Sequence, residues 1–242
     1  MTYKTNTGTF LDEITHDIAS QNWGEEEWTV EFDTMVEAGM ETVVLIRAGY
    51  RERLAYPSAA VSKHLRTLPV DEDLVDLFLR LCDPRNITFF LGTYDAGRFW
   101  HNYEWRKEVE VNRALIREAW ERYGEHPAFG GWYLSHETPD TSKRILDIHT
   151  ALAEYVRASA EFVRRHGVEP WSNLESFDRD VPMKFFPIDS RKLIYKLETV
   201  QPYVSKIITF EVSHFLSPNS MWPSARMLYR RYREFVASER IP

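Results

Sequence analysis

Residues 168–180, VEPWSNLESFDRD, carry the clearest signal of the fold in this sequence. The stretch begins as an apolar strand and becomes polar and acidic within a few residues. Because side chains alternate along a strand, Trp171, Asn173 and Glu175 share one side of it. A strand that presents an aromatic ring, an amide and a carboxylate on one face, where the sequence turns polar, is typical of the edge of a binding cleft.

Two other apolar stretches also end on a glutamate. They are residues 129–137, FGGWYLSHE, and residues 206–214, KIITFEVSH, and they bring Glu137 and Glu211 to strand ends. Ligands of parallel sheets bind outside the carboxyl ends of the strands. The three glutamates therefore predict a carboxylate-lined pocket at one end of a sheet.

Composition indicates one globular domain. The chain has 242 residues, of which 43% are hydrophobic and 14% aromatic, enough for one sizeable core. We expect most aromatic residues to be core and the excess to line a sugar-binding cleft. The single cysteine, Cys82, excludes an internal disulfide framework, and its apolar neighbours predict a buried structural thiol.

Charge and hydropathy exclude two classes of partner. The formal net charge of -7 gives no basic surface for nucleic acid. No apolar run approaches the roughly 18 residues that a membrane span requires. The first ten residues, MTYKTNTGTF, lack the basic and apolar regions of a signal peptide, so we expect a soluble, cytoplasmic protein.

Strands and helices alternate along the chain, which predicts βα units and a parallel sheet. Six strands are visible, at residues 8–13, 42–48, 87–94, 129–135, 168–174 and 206–212. The glycine fingerprints of nucleotide-binding folds are absent from the sequence. Carboxylates at strand ends favour a (β/α)8 TIM barrel, in one domain over residues 1–242, rather than a doubly wound sheet.

The count of six units falls short of the eight in a closed barrel. The predicted helix over residues 139–166 would measure roughly 42 Å, the length of two helices joined. We therefore expect strands five and six to be missing, with the join, and an abnormal Cα spacing, near residues 158–161. Removing two inner strands would leave unpaired edges, which favours a gap in the recorded sequence over a natural deletion.

The chain resembles the bacterial domain-of-unknown-function family numbered 4434, whose members are similar to TIM-barrel glycoside hydrolases. Five segments that cover most of the chain carry the resemblance: GTFLDEITHDIASQNWGEEEW (8–28), TVVLIRAGYRERLAYPS (42–58), GGWYLSHE (130–137), EPWSNLESFDRDV (169–181) and YVSKIITFEVSHFLSPNSMWPSARMLY (203–229). The resemblance implies a (β/α)8 fold and a carbohydrate substrate. Members normally carry two further strands before the EPWSNLESF strand, one of them followed by a Gln-Asp-Gly loop, and this sequence matches neither.

The resemblance also implies catalytic roles. Retaining glycosidases of this barrel type carry their two carboxyl groups at the ends of strands four and seven, which correspond to Glu137 as acid/base and Glu175 as nucleophile. Glu211, on strand eight, is the competing catalytic candidate. The alternative is a buried ion network in which these glutamates pair with arginines such as Arg47.

Further polar and aromatic residues lie at strand ends or in the loops that follow. The candidate substrate-binding residues are Asp12, Glu13, His16, Arg47, Tyr50, Tyr94, Trp100, His136, Trp171, Asn173 and His214. No short metal-ligand pair such as HExxH occurs in the sequence, so we expect neither a metal nor a cofactor.

A glycoside hydrolase that acts on a small or oligomeric carbohydrate is the leading hypothesis. Two alternatives stay open: a non-catalytic carbohydrate-binding barrel, and a shortened barrel that is stable only as an oligomer.

Overall fold

A computed structural model describes most of the chain: residues 4–15, 20–101, 104–135, 157, 160–161, 164–165, 167, 169–180 and 184–239. The described strands are β1 (Asn6–Leu11), β2 (Thr42–Leu45), β3 (Gly49–Tyr50), β4 (Arg53–Leu54), β5 (Thr88–Gly92), β6 (Tyr94–Asp95), β7 (Phe129–Tyr133), β8 (Trp171–Glu175), β9 (Phe177–Asp180), β10 (Lys184–Pro187) and β11 (Lys206–Phe210). The described helices are α1 (Glu25–Glu37), α2 (Ala59–Ser62), α3 (Leu74–Cys82), α4 (Arg98–His101), α5 (Trp105–Tyr123), α6 (Ser190–Val200), α7 (Val212–Phe215) and α8 (Pro223–Glu239), with a 3-10 turn at Asp83–Arg85.

The fold is α/β with a central parallel sheet. Six strands form this sheet in the order β7-β5-β2-β1-β11-β8. The pairs β7-β5, β5-β2 and β11-β8 are parallel. All four residues of β2 are buried, which explains its continuous β-branched and leucine sequence. These six strands are the six that the sequence predicts, and the first of them lies between the second and the last.

Several elements differ from the sequence prediction. The strand predicted over 206–212 ends at Phe210, so Glu211 is the first residue after β11 and not a strand residue. The strand predicted over 168–174 begins at Trp171 and ends at Glu175. The small sheet β4-β3-β6 and the antiparallel pair β9-β10 were not expected, because strands of two to four residues show too few alternations to form a pattern.

The join predicted near residues 158–161, where two βα units would be missing, falls largely outside the described residues. The same is true of most of the long helix predicted over residues 139–166. Both stay predictions.

The chain divides into two compact units. The β2 unit comprises Phe10–Val36 and Glu41–Glu137, and the β11 unit comprises Met1–Thr9, Glu37–Met40 and Thr138–Pro242.

An aromatic cluster forms the core of the β2 unit. Helix α1 buries Trp28, Phe32 and Met35, which recur at the spacing of one helix face. The rings of Trp28 and Phe32 lie 4.7 and 5.5 Å from the ring of Phe78 on α3, measured between centroids. Cys82, at the end of α3, is buried, as its apolar neighbours predict.

Helix α5 holds the loop that follows β5. Asn112 Oδ1 accepts a hydrogen bond from the Tyr94 amide at 2.8 Å, and its Nδ2 donates to the Tyr94 carbonyl at 2.9 Å. One turn earlier, Glu108 Oε1 accepts from the Ala96 amide at 2.8 Å. These bonds place β6, and with it Asp95, at the carboxyl end of β5.

In the β11 unit, the amide of Asn6 at the start of β1 donates to the hydroxyl of Tyr232 on α8 at 2.9 Å. Helix α6 buries Leu193, Leu197 and Val200.

The Asn112 bridge supplies a test of this arrangement. We expect Asn112→Ala to lower the free energy of unfolding by roughly 1–3 kcal/mol, because two partly buried backbone groups of Tyr94 lose their partner. Arg113→Ala, at the exposed neighbouring position, is the matched control and should change it by less than about 0.5 kcal/mol. Urea unfolding measures both, and equal effects would contradict a specific role for Asn112.

Candidate active site

The parallel pair β8-β11 carries two of the predicted carboxylates. The register runs from Lys206 opposite Trp171 to Phe210 opposite Glu175. Paired residues in a sheet point to the same face, and neighbouring strands lie about 4.8 Å apart. Glu175 is the last residue of β8 and Glu211 follows Phe210, so the two glutamates leave adjacent strands at the same end, one step apart.

Exposure alternates along β8 and into the residue that follows it. Trp171, Asn173 and Glu175 are exposed, whereas Ser172 is half-buried and Leu174 and Ser176 are buried. This confirms the prediction that the first three residues share one side of the strand. The Nζ atom of Lys196, on α6, donates to the carbonyl of Glu175 at 3.3 Å, which ties the end of β8 to that helix.

Trp171 and Glu175 lie at opposite ends of this exposed row. They are four residue steps apart along the strand, which is about 13 Å at 3.3 Å per step. Trp171 is 45% exposed, and the Nζ atom of Lys206 lies 5.2 Å from its ring centroid, within the range of a cation–π contact. A single sugar ring is too short to contact both Trp171 and Glu175, so the row suits an extended ligand.

Glu211 has a strained backbone and a buried side chain. Its φ of 53° and ψ of 65° lie in the left-handed region, which costs a residue with a Cβ atom on the order of 1 kcal/mol, and only 2% of its surface is exposed. Its Oε2 accepts a hydrogen bond from Ser213 Oγ at 3.2 Å, and its carbonyl accepts from the Phe215 amide at 3.0 Å. The next amide, of Val212, donates to Thr9 Oγ1 at 3.1 Å. Strain of this kind is concentrated at functional sites.

His214, on α7, is held in a neutral, hydrogen-bonded state. Its Nε2 accepts a hydrogen bond from the indole Nε1 of Trp222 at 3.1 Å. Burial lowers the pKa of His214 below its ordinary value of 6.5, which favours the neutral ring. The neutral ring has one acceptor nitrogen, and Trp222 uses it.

A second polar group, in the β2 unit, surrounds Arg47. The guanidinium lies 4.0 Å from Asp12 Oδ2 and 3.8 Å from Asp95 Oδ2, and its NH1 donates to Thr15 Oγ1 at 3.1 Å. It also lies 5.8 Å from the ring centroid of Tyr50. The structure thus brings together Asp12, Arg47 and Tyr50 with Asp95 and Thr15. Substrate binding by the first three stays a prediction.

Two candidates from the sequence occupy structural positions. Tyr94 is fully buried, and its hydroxyl donates to the Arg51 carbonyl at 2.6 Å, so the prediction that it contacts substrate needs correction. Glu13 is 3% exposed and accepts from Ser20 Oγ at 3.0 Å. Burial raises the pKa of Glu13 from 4.5 to about 8, the Ser20 hydrogen bond opposes that rise, and the charge of Asp12 adds to it.

Other predicted site residues cannot be placed. Glu137, His136 and His16 lie outside the described residues, and the side chain of Trp100 is not described either. Within the described part of the chain, no group of three or more His, Cys, Asp or Glu residues is arranged to hold a metal ion. The same residues include no helix with the length and apolar character of a membrane span.

Four residues that contact the predicted site residues or their backbone were not predicted from the sequence: Thr9, Ser213, Asp95 and Thr15. Asp95 follows β5 closely, so its place after a strand was the only available signal. The other three are common hydroxyl residues whose partners are identified only by the folded contacts.

Comparison with known proteins identifies a family. The sequence model of the family described as Domain of unknown function (DUF4434) matches residues 6–149 and, as a second segment, residues 146–222. No curated protein matches the chain.

Three solved structures are similar to this chain. One, from Bacteroides thetaiotaomicron VPI-5482, carries the provisional name of an α-L-fucosidase; it is 33% identical, with a TM-score of 0.87, over 98% of this chain and 94% of that one. A fucosyltransferase mutant of the α-L-fucosidase AlfC is 12% identical, with a TM-score of 0.53, over 97% and 96%. A glycoside hydrolase 29 family member from an unknown rumen bacterium is 12% identical, with a TM-score of 0.50, over 97% and 55%. At 12% identity, the last two show the fold alone.

The raised pKa of Glu13 predicts a pH-dependent stability. The folded protein holds the Glu13 proton up to about pH 8 and the unfolded chain releases it near pH 4.5, so stability is lost as the pH rises between these values. The loss is at most about 1.4 kcal/mol per pH unit. We expect Glu13→Gln to remove this pH dependence of the free energy of unfolding. The free energy of unfolding of Glu13→Gln minus that of the parent should therefore increase from pH 5 to pH 8.

Chemical unfolding at a series of pH values measures this difference. Glu26→Gln, at an exposed position of α1, is the control and should run parallel to the parent. A constant difference between Glu13→Gln and the parent at all pH values would show that Glu13 ionises normally.

Proposed function

The chain belongs to the family described as Domain of unknown function (DUF4434), and from that premise we propose that it is a glycoside hydrolase acting on α-L-fucosyl groups. The Bacteroides structure at 33% identity supports the choice of sugar through its provisional name. The observation that carries the proposal is the position of Glu175 and Glu211 at the carboxyl ends of two neighbouring parallel strands.

The strand order supports a barrel of the (β/α)8 type. The sequence β7-β5-β2-β1-β11-β8 is the order of barrel strands four, three, two, one, eight and seven. In this proposal β7 is strand four, β8 is strand seven, and strands five and six are lacking. Active sites of such barrels lie at the carboxyl ends of the strands.

Glu175 is the proposed nucleophile. Its exposed side chain at the end of β8 is open to a substrate, and a carboxylate there attacks the anomeric carbon as the glycosidic bond breaks. The leaving-group oxygen takes a proton from an acid, the role predicted for Glu137. Water, deprotonated by the same group, then hydrolyses the glycosyl-enzyme ester with net retention.

Glu211 is the proposed residue for positioning the turn that follows β11. Its carboxylate is buried and bound to Ser213, and its backbone is strained, so it holds the start of α7 beside the end of β8.

A second candidate function is non-catalytic carbohydrate binding. The exposed row of Trp171, Asn173 and Glu175 favours it, because an aromatic face, an amide and a carboxylate can together bind a sugar chain. Binding without turnover of any glycoside would select this alternative.

The roles of the glutamates predict different kinetic losses. We expect Glu175→Gln to lower kcat for 4-nitrophenyl α-L-fucoside by at least about a thousandfold, because no covalent intermediate can form. Glu211→Gln should lower kcat/KM by roughly ten- to a hundredfold, because a weaker hydrogen bond to Ser213 lets the turn that follows β11 move. Glu198→Gln, at an exposed position of α6, is the control.

Proton NMR identifies the anomer of fucose that is released first. We expect the anomeric configuration of the substrate to be retained. Glu137→Gln is measured alongside. Its turnover should fall most for substrates with poor leaving groups, because these need a proton from the proposed acid. Unchanged turnover in Glu175→Gln would overturn the assignment of the nucleophile.

A further inference from the structure

The segment between α7 and α8 presents two apolar side chains to solvent. Met221 is 61% exposed and Trp222 is 37% exposed, directly before the first residue of α8. An exposed tryptophan next to an exposed methionine offers a flat apolar surface. Aromatic surfaces of this kind bind ring-shaped ligands by stacking.

Three hydrogen bonds hold Trp222 in place. Its indole Nε1 donates to His214 Nε2 at 3.1 Å, and its backbone amide donates to Ser220 Oγ at 3.1 Å. The Ser220 hydroxyl in turn donates to the carbonyl of His214 at 2.6 Å. The polar edge of the indole and the backbone of Trp222 are therefore both tied to His214, although the ring is partly exposed.

His214 is also close to Glu211 at the end of β11, the strand that pairs with β8. Glu211 directly precedes α7, and its carbonyl accepts from the amides of His214 and Phe215 at 3.2 and 3.0 Å. The Ser213 hydroxyl, on the same turn of helix, contacts the Glu211 carboxylate. One four-residue helix thus links the strained glutamate to the tryptophan.

We propose that Trp222 binds the leaving group of the glycoside, as a platform for a ring with an apolar face, and that His214 is the residue that positions Trp222. The inference rests on the proposed hydrolase function and adds a specificity: glycosides with an aryl group or a second sugar in the leaving-group position bind better than methyl glycosides. Stacking contributes roughly a fivefold difference in affinity.

The test compares 4-nitrophenyl and methyl α-L-fucosides. In the parent protein the KM of the aryl glycoside is expected to be about fivefold lower, and in Trp222→Ala the two KM values become equal while kcat for the aryl glycoside stays within about twofold. Trp120→Ala is the control, because Trp120 on α5 is also an exposed tryptophan, at 58%. Retention of the aryl preference in Trp222→Ala would overturn the inference.

Two substitutions of His214 test positioning. His214→Gln keeps an acceptor oxygen for the indole N–H, whereas His214→Phe keeps the ring shape without an acceptor. The aryl preference is expected to persist in His214→Gln and to be lost in His214→Phe. An aryl preference that persists in His214→Phe would show that His214 does not position Trp222.

Calorimetry with an inert phenyl 1-thio-α-L-fucoside separates this inference from the proposed reaction. If the protein binds the thioglycoside but hydrolyses no fucoside, the hydrolase proposal fails, and weaker binding in Trp222→Ala still supports the platform. If binding is equal in parent and Trp222→Ala, or absent in the parent, the platform is wrong. A fucosyl disaccharide in the same assay shows whether a sugar ring replaces the aryl group.

Discussion

The in-register parallel pairing of β8 with β11 is the constraint on which the proposed site depends. Because side chains alternate with a period of two, a slip of one residue would move Glu175 to the buried face and bring Leu174 to the exposed one. Such a slip is opposed by the burial of two groups of side chains. They are Leu174 and Ser176 at the end of β8, and Ile207, Ile208 and Thr209 inside β11. The register thus fixes where Glu175 and Glu211 leave the sheet.

Glu211 shows how the end of β11 combines strain with hydrogen bonding. The left-handed conformation is unfavourable for any residue with a Cβ atom, yet Thr9, Ser213 and the α7 amides all contact this turn. A residue without such support would relax to ordinary strand or helix geometry. The same turn begins α7, and α7 carries His214, so a single bend orients a carboxylate, an imidazole and, through it, the indole of Trp222.

The regular part of the fold could be predicted from the sequence. The six strands of the sheet are visible in the sequence as apolar runs, and the shared side of Trp171, Asn173 and Glu175 follows from the period of a strand alone. Features that depend on distant contacts could not be predicted: the positive φ of Glu211, the Asp95 partner of Arg47, and the burial of Tyr94. The short strands β3, β4 and β6 escaped prediction because two residues show no periodicity.

Covalent trapping is the direct test of whether the Glu175 carboxylate, at the end of β8, attacks the anomeric carbon. A 2-deoxy-2-fluoro-fucosyl fluoride slows hydrolysis of a glycosyl-enzyme intermediate enough for peptide mass spectrometry to locate the ester. We expect one added fluorosugar per chain, on Glu175 within the tryptic peptide of residues 166–179. A label on another residue would contradict the assignment of Glu175. Hydrolysis of 4-nitrophenyl α-L-fucoside by a protein that takes up no label would also contradict it.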